Sequence, residues 1–254
     1  LHLLSRRQRQ MCIRDSVVVD ANGLPKISTT NKTLGKFTPD WTGGISNTFS
    51  YRSLSLSFLI DASVGGSIFS NTNKTGKYTG VLANTLSGRD AEHGGLWYYT
   101  DAMGNNVRLS ESPSYSVSSD GLYYAQVNGQ STRVYQDGIM VEGVTESGSK
   151  NEEVVSAEKY YHRIYSIAEA NVYDASYVKL REVALSYRLP RLWTQKLHLQ
   201  EASVTLTGRN LWTIYKSVPN IDPESALTTG NAQGVEAYSL PTTRSFGVNL
   251  SVKF

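Results

Sequence analysis

The sequence predicts an all-β fold: strands of a large antiparallel transmembrane β-barrel, joined by long extracellular loops. Three observations favour this class. Apolar and polar residues alternate in several segments, aromatic rings stand ten positions apart within them, and the composition is poor in charge. Charged residues make up 19% of the 254 residues, and 16 Tyr outnumber 6 Phe. Because Tyr combines an apolar ring with a polar hydroxyl, it suits a boundary between lipid and water.

Charge and cysteine content exclude several other classes. The formal net charge is +3, which gives no reason to expect nucleic acid as a partner. A single cysteine, Cys12, permits no intrachain disulfide and forms no metal or redox motif. The sequence has no run of about 18 apolar residues, the length that a transmembrane helix needs. Barrel strands stay compatible with this composition because their alternation gives a weak average hydropathy.

Residues 1–16 differ in character from everything after them. The stretch is basic, has no Gly and no alternation, and holds the only Cys. It lacks the apolar core and cleavage site of a signal peptide. Its arginines, Arg6, Arg7, Arg9 and Arg14, are too scattered for a nucleic-acid-binding arm. We therefore expect residues 1–16 to be non-native and exclude them from functional reasoning.

Two hairpins come next. Residues 17–28 predict a small hairpin with an Asn-Gly turn. Residues 41–64 predict a longer hairpin that turns near residues 52–53 and has one apolar and one polar face. Its apolar parity carries Trp41, Ile45, Phe49, Tyr51, Leu54, Leu56, Phe58, Ile60, Ala62 and Val64.

The spacing of the rings favours a membrane environment for this apolar face. Trp41 and Tyr51 are ten positions apart, which is about 33 Å along a strand. With a tilt of about 45°, the rings differ in height by roughly 24 Å, close to the apolar band of an outer-membrane barrel. Tyr177 and Tyr187 repeat the interval. We predict that Trp41, Tyr51 and Tyr187 belong to the aromatic girdles.

The rest of the chain predicts one long loop and three further strands. Between about residues 65 and 175 the alternation fades, which indicates a long extracellular loop. Alternation returns in residues 174–190, 202–215 and 244–254. The total of five strands is too small to close even the smallest membrane barrel, which has about eight. The barrel is therefore predicted to be incomplete within this sequence.

Two charged residues conflict with the simple pattern. Lys179 and Arg181 share the parity of Val183, and each would cost about 2–4 kcal/mol at the bilayer midplane. Either the lipid-facing belt starts near Val183, with both charges at or above the outer rim, or a bulge changes the phase of the strand. In the next strand, Gly208 is a predicted bulge site.

Five motifs, in this order, resemble the C-terminal end of SusC/RagA-type TonB-dependent outer-membrane transporters of Bacteroidota. They are FTPDWTGGISNTFSYRSLSLSFLID, DASYVKLREVALSYRLP, LTGRNLW, IDPES and SFGVNLSVKF. The resemblance covers residues 17–254 and identifies them as the C-terminal part of the barrel. It implies a barrel of about 22 strands with a plug, located in the cell outer membrane and surrounded by its lipid.

The resemblance also implies partners and cargo. A TonB complex would act through a plug that lies outside this sequence, and a SusD-like surface lipoprotein would close over the barrel. Oligosaccharides or peptides would be the substrates. The barrel-assembly machinery reads a C-terminal Phe in that family, and Phe254 is placed to be this signal. The family implies neither an enzymatic activity nor a cofactor.

One loop segment is a candidate contact site. Trp97, Tyr98 and Tyr99 could stack on a substrate or contact the lipoprotein, because rings with polar atoms suit hydrated contacts. Packing within the loop is the alternative.

Other polar residues show no catalytic or metal-binding constellation. The motif NIDPES alternates Asn220, Asp222 and Glu224, which suits either Ca²⁺ binding or a turn held by side-chain-to-backbone bonds. Three histidines lie far apart and lack metal-ligand spacing. They are His93, His162 and His198.

Two other functions fit the pattern less well. A soluble β-sandwich carbohydrate-binding module would also have alternating strands, but the ten-residue ring spacing and the terminal Phe254 count against it. A passive porin or a surface adhesin would share the barrel wall and lack coupling to TonB.

Overall fold

The computed structural model describes residues 17–196, 198–225 and 233–254. No helix in these ranges is both long enough and apolar enough to cross a bilayer. The strands are β1 (Val17–Val19), β2 (Trp41–Tyr51), β3 (Leu54–Val64), β4 (Ser67–Ser70), β5 (Leu96–Thr100), β6 (Asn106–Arg108), β7 (Tyr115–Val117), β8 (Tyr123–Val127), β9 (Gln130–Ile139), β10 (Gly143–Thr145), β11 (Val155–Ser156), β12 (Val172–Asp174), β13 (Tyr177–Arg188), β14 (Glu201–Lys216), β15 (Val235–Glu236) and β16 (Ser245–Lys253). The helices are α1 (Asn71–Tyr78), α2 (Ala157–Tyr165) and α3 (Arg191–Lys196), and Ala83–Thr85 and Glu169–Asn171 form 3₁₀ turns.

The chain forms two compact units. The sheet unit consists of Thr33–Asn73 and Asn171–Phe254. The insert unit consists of residues 17–32 and Lys74–Ala170.

A five-stranded antiparallel sheet dominates the sheet unit. Its strand order is β2–β3–β13–β14–β16. The five strands predicted from the sequence therefore lie side by side in the order in which they follow one another along the chain. The predicted hairpin pairs Tyr51 with Leu54 and turns at Arg52, whose φ of 53° lies in the left-handed region. The all-β prediction and the five predicted strands are confirmed.

A β-bulge at Arg181 explains the two charges in β13. Val183 is opposite Phe58, and Lys179 is opposite Asp61, while Arg181 is the extra residue between them. An extra residue reverses the alternation of side chains along a strand. Lys179 therefore leaves the apolar face and joins the polar face. Of the two solutions predicted from the sequence, the bulge is the one that the fold uses.

The same bulge makes one expectation wrong. Tyr177 is opposite Ser63 on the polar face, whereas Tyr187 is opposite Leu54 on the apolar face. The ten-residue interval between the two tyrosines thus does not place them on the same surface. Counting positions cannot detect this change, because one residue more or less flips every side chain beyond it.

The second predicted bulge is displaced from its expected position. Gly208 pairs regularly with Val183 and Phe246, so the prediction of a bulge at Gly208 is wrong. The ladder with β13 instead skips Asn210 and Leu211. Asn210 has a φ of 51°, a left-handed conformation that Asn tolerates better than most residues.

The residues predicted as a long loop contain a sheet with its own core. Strands β6–β5–β9–β8–β7 pair in this order, and β11 also pairs with β9. Trp97, Ala125 and Val134 are buried together in this sheet. Five of its six strands have five residues or fewer, so few alternating positions are available to reveal them.

The small hairpin at residues 17–28 is confirmed in a short form. Val19 bridges Pro25 in antiparallel fashion, and the Lys26 N–H donates to the Val18 carbonyl. Strand β1 also pairs in parallel with β10, a contact between residues more than a hundred positions apart that the local sequence does not indicate.

Candidate functional site

The five-stranded sheet has one apolar and one polar face. Residues directly opposite each other on neighbouring strands share a face, and the register matches apolar positions across all five strands. The apolar face includes Trp41, Ile45, Phe49, Tyr51, Leu54, Leu56, Phe58, Ile60, Val183, Leu185, Tyr187, Val204, Leu206, Phe246, Val248 and Leu250. Ile45 is 66% exposed and Phe246 is 81% exposed. Asn47, opposite Phe58, is a polar residue within this face. An exposed apolar surface of this extent needs lipid or protein to cover it.

The predicted girdle residues lie at the two ends of this face. Tyr51 is opposite Leu54, and Leu54 is opposite Tyr187, so both tyrosines stand in one row across three strands. Trp41 is opposite Val64 at the other end of the hairpin. The positions match those that two aromatic girdles require, and contact with lipid headgroups stays a prediction.

The polar face carries small hydroxyl side chains that bond to each other. The hydroxyl oxygens of Ser50 and Ser55 are 2.9 Å apart across the hairpin. Those of Ser186 and Thr205 are 2.6 Å apart between β13 and β14. This surface is therefore hydrophilic, as the wall of a water-filled interior would be.

Lys179 is the centre of a charged cluster on the polar face. Only 2% of Lys179 is exposed, and its Nζ donates to Asp222 Oδ1 at 2.5 Å and to Glu224 Oε2 at 2.6 Å. A buried ammonium is costly unless carboxylates accept its protons. Here two carboxylates from the loop after β14 supply this compensation.

Arg181 extends the cluster to the neighbouring strand. Its Nε and Nη2 donate to Asp61 Oδ2 at 3.0 and 2.7 Å. Its Nη1 donates to Glu224 Oε2 at 2.7 Å, and Nη2 also contacts Glu224 Oε1. The Tyr177 hydroxyl donates to that same oxygen at 2.8 Å. We call Asp61, Lys179, Arg181, Asp222 and Glu224 the ionic cluster.

The environment of the two loop carboxylates favours their charged forms. Burial alone would raise the pKa of Asp222, but hydrogen bonds from Lys179 and Thr242 outweigh it and lower that pKa to about 2. Burial likewise opposes ionisation of Glu224, and donation from Arg181, Lys179 and the Tyr177 hydroxyl overcomes it, so the pKa of Glu224 is also lowered.

The motif NIDPES therefore forms a turn whose carboxylates also bind distant cations. The Glu224 N–H donates to Asp222 Oδ1 at 3.1 Å, as the turn prediction requires. Groups of acidic and histidine side chains suited to a metal ion are absent from the part of the chain that the structure describes. Sequence reasoning missed the pairing with Lys179 and Arg181. The sequence did contain a signal for this pairing. Two cations at apolar positions of a strand need carboxylates from another part of the chain to compensate their charge.

A second buried carboxylate lies at the start of α1. Glu236 is fully buried, and it accepts bonds from Ser70 Oγ at 2.7 Å, Thr72 Oγ1 at 2.6 Å and the Thr72 N–H at 3.3 Å. Ser70 Oγ accepts from the Asn73 N–H at 3.0 Å and so caps the helix. Burial alone would raise the pKa of Glu236. The hydrogen bonds that its carboxylate accepts, chiefly those from Thr72, outweigh burial and lower the pKa.

Replacing Glu236 with Gln is expected to destabilise the sheet unit by about 1–3 kcal/mol, because charge-assisted hydrogen bonds become neutral ones. The Gln amide would also place a donor near two hydroxyl donors. Urea unfolding, in lipid vesicles, of the complete barrel that contains this segment measures the loss, and hydrogen exchange of the Thr72 amide should accelerate. The exposed Glu152→Gln is the matched control and should leave both unchanged.

The lowered pKa values of Asp222 and Glu224 predict a stability that depends on pH. A carboxyl whose pKa is lower in the folded state stabilises the fold above its unfolded value, near 4, and loses this contribution as the pH falls toward its folded value. Unfolding free energy should therefore drop between about pH 4 and pH 2. Asp222→Asn with Glu224→Gln should flatten that drop, whereas Glu111→Gln should preserve it; an unchanged slope in the double variant would contradict the assignment.

The aromatic segment of the insert unit is mostly interior. Trp97 packs against Tyr123 in an edge-to-face arrangement at 5.8 Å, and Tyr98 stacks on Tyr135 at 5.1 Å. Trp97 and Tyr98 are 7% and 4% exposed, and the half-buried Tyr99 packs against the same core. This burial favours the packing alternative, and contact with a substrate or lipoprotein stays a prediction.

The remaining predicted residues lie apart from one another. Phe254 follows β16 and is 84% exposed; its role as an assembly signal stays a prediction. His93 Nδ1 is 2.7 Å from Asp90 Oδ1, and the His162 ring stacks on Tyr78 at 4.1 Å. The structure does not bring the histidines together.

The fold and its two contrasting faces define a class: a segment of an antiparallel β-barrel wall. The chain is 25% identical over 242 residues to TonB-dependent receptor P3 of Formosa agariphila, a match that covers 92% of this chain and 18% of that protein. This similarity confirms the predicted resemblance to TonB-dependent receptors, and the chain spans less than a fifth of that relative's length. No family model matches the sequence.

Two solved structures are also similar. The RagAB peptide importer in its closed-closed state gives a TM-score of 0.45 at 17% identity and covers 94% of this chain and 21% of that one. Its open-open state gives 0.44 at 16% identity and covers 95% and 21%.

Proposed function

We propose that this chain is part of the wall of a TonB-dependent importer in the outer membrane. In this proposal the apolar face contacts lipid and the polar face lines the interior. The importer takes up oligosaccharides or peptides, works with a SusD-like surface lipoprotein, and draws energy from a TonB complex through a plug outside this sequence. The chain itself performs no catalytic step.

One observation carries the proposal: the exposed apolar face extends across all five antiparallel strands, with Asn47 of β2 as a polar residue within it. A soluble β-sandwich would bury such a face against a second sheet. Within the described residues of the sheet unit, the other strands form only the short three-stranded sheet β12–β4–β15, which is too small to cover it. Lipid on one face and water on the other satisfy both surfaces.

The similarity to a TonB-dependent receptor supports energised import over passive permeation. In this proposal, coupling to TonB uses a segment that is not part of the present chain. An experiment must therefore use the complete receptor that carries this segment.

Uptake by the native host tests the function. Deleting the receptor gene should abolish accumulation of either a labelled oligosaccharide mixture or a labelled peptide mixture, and a protonophore should have the same effect on the wild type. Uptake that survives the protonophore would indicate a porin, and surface binding without uptake would indicate an adhesin. Recovery of the protein from the soluble fraction, without detergent, would favour the β-sandwich module and overturn the proposal.

A further inference from the structure

The insert unit has a cavity of about 240 Å³, open to solvent, that neither the barrel wall nor the proposed import requires. It lies beside the turn before β8 and the second half of β9. Its lining includes Leu122, Tyr123, Arg133, Tyr135, Gln136 and Asp137. These side chains combine rings, a cation, an amide and a carboxyl, which is the mixture typical of a site for a small polar ligand.

A stack of side chains holds the cation of this cavity in place. The Arg133 Cζ lies 4.8 Å from the centre of the Tyr135 ring. Tyr135 in turn stacks on Tyr98 with an angle of 16° between the ring planes. Tyr98 is buried, and its hydroxyl donates to Asp137 Oδ1 at 3.2 Å. The guanidinium therefore rests on a rigid platform, which reduces the entropy lost when a ligand binds.

Arg133 is one of several arginines among the described residues that have no carboxylate partner. Arg163, Arg181, Arg188 and Arg209 each pair with a carboxylate. In the described ranges of the chain, Arg133 forms no such ion pair and contacts the Tyr135 ring instead. Its planar fork of donors matches a carboxylate or a sulfate.

A bulge directs the neighbouring residues of β9. Leu96 is opposite Gly138 and Tyr98 is opposite Tyr135, so β9 has one more residue than β5 in this interval. Bulges turn side chains away from their regular positions and are frequent beside functional sites. Gln136 and Asp137, both in the cavity lining, occupy the bulge.

We propose that this cavity binds an acidic sugar, with Arg133 holding its carboxylate or sulfate. Gln136 donates a second hydrogen bond to the oxyanion, and Asp137 accepts a bond from a ring hydroxyl. Asp137 would repel a simple anion. An acidic sugar compensates for this repulsion because its ring hydroxyl donates a hydrogen bond to Asp137. Binding at this cavity requires no transport and holds whether or not the barrel is an importer.

Binding to the full chain in detergent micelles tests the proposal. Titration calorimetry with glucuronate, glucose 6-sulfate, glucose and N-acetylaspartate should show the two acidic sugars binding at least about tenfold more tightly than glucose, since a bidentate charged pair contributes strongly. The stronger of the two acidic sugars identifies the oxyanion. Equal binding of glucose, or binding of N-acetylaspartate alone, would overturn the proposal.

Variants then assign the binding to this cavity. Arg133→Gln should remove the preference for acidic sugars, and Arg133→Lys should keep only part of it, because an ammonium lacks the fork. Tyr135→Leu keeps the cation, removes its platform and should weaken binding. Arg244→Gln replaces another exposed arginine and should bind like the unsubstituted chain. An Arg133→Gln chain that binds glucuronate and glucose 6-sulfate with undiminished affinity would refute the site.

Discussion

Replacing Lys179 with Met is expected to destabilise the chain by about 3–5 kcal/mol. Removing one partner of a buried ion pair leaves the opposite charges uncompensated, and this is more costly than never having formed the pair. Lys179 is only 2% exposed and bonds to both Asp222 and Glu224. With Met at this position, Asp222 would lose its cation and keep only the hydrogen bonds from Thr242 and the Glu224 N–H, whereas Glu224 would keep Arg181 and Tyr177. The loop at residues 217–225 would lose its central attachment.

Urea unfolding in lipid vesicles, followed by tryptophan fluorescence, measures this loss, and hydrogen exchange in residues 217–225 localises it. Lys253→Met on the same face of β16 is the matched control, and it should change stability by less than about 0.5 kcal/mol. Adding Asp222→Asn to Lys179→Met should recover part of the loss. A Lys179→Met chain as stable as the control would show that the ionic cluster contributes nothing.

Placing a charge on the apolar face should cost nearly as much. Val183→Arg is expected to reduce the free energy of folding into a bilayer by about 2–4 kcal/mol, the range for Arg on the lipid face near the midplane. Val183 is suitable because its row, with Phe58 and Gly208, lies between the two ends marked by Trp41 and Tyr51.

The neighbouring residue supplies the control. Ala184 is opposite Ser57 and Thr207 on the polar face, so Ala184→Arg adds the same side chain one position away and should cost far less. The two variants are made in the complete receptor and compared by urea titration in vesicles. Equal losses would mean that both faces of β13 have the same environment, which a barrel wall does not allow.

The longest strands could be predicted from the sequence because alternation over about ten residues is a strong local signal. The hairpin from Trp41 to Val64 is the clearest example: its two strands, its turn at Arg52 and its apolar face agree with the structure. The terminal strand β16 agrees for the same reason. In each case the information lies within one continuous segment.

The features that sequence reasoning missed depend on contacts between distant residues. Lys179 and Asp222 are 43 positions apart, and neither local sequence indicates that the two residues form an ion pair. Glu236 and Ser70 are 166 positions apart. The strands of the insert unit were missed because most are too short for alternation to be visible in the sequence. Trp97 was considered a possible surface contact, whereas the structure places it in the core of the insert unit.

The single extra residue at Arg181 has a consequence for recognising related chains. A search for alternating hydropathy that assumes one regular alternation from residue 177 to residue 188 will score this strand poorly. The residues before and after the bulge place their apolar side chains on opposite parities. A search that permits one phase change per strand, with a cation just before the break and an acidic turn downstream, would recover it as a single element. Distant relatives with the same interruption would then become detectable even where overall identity has decayed.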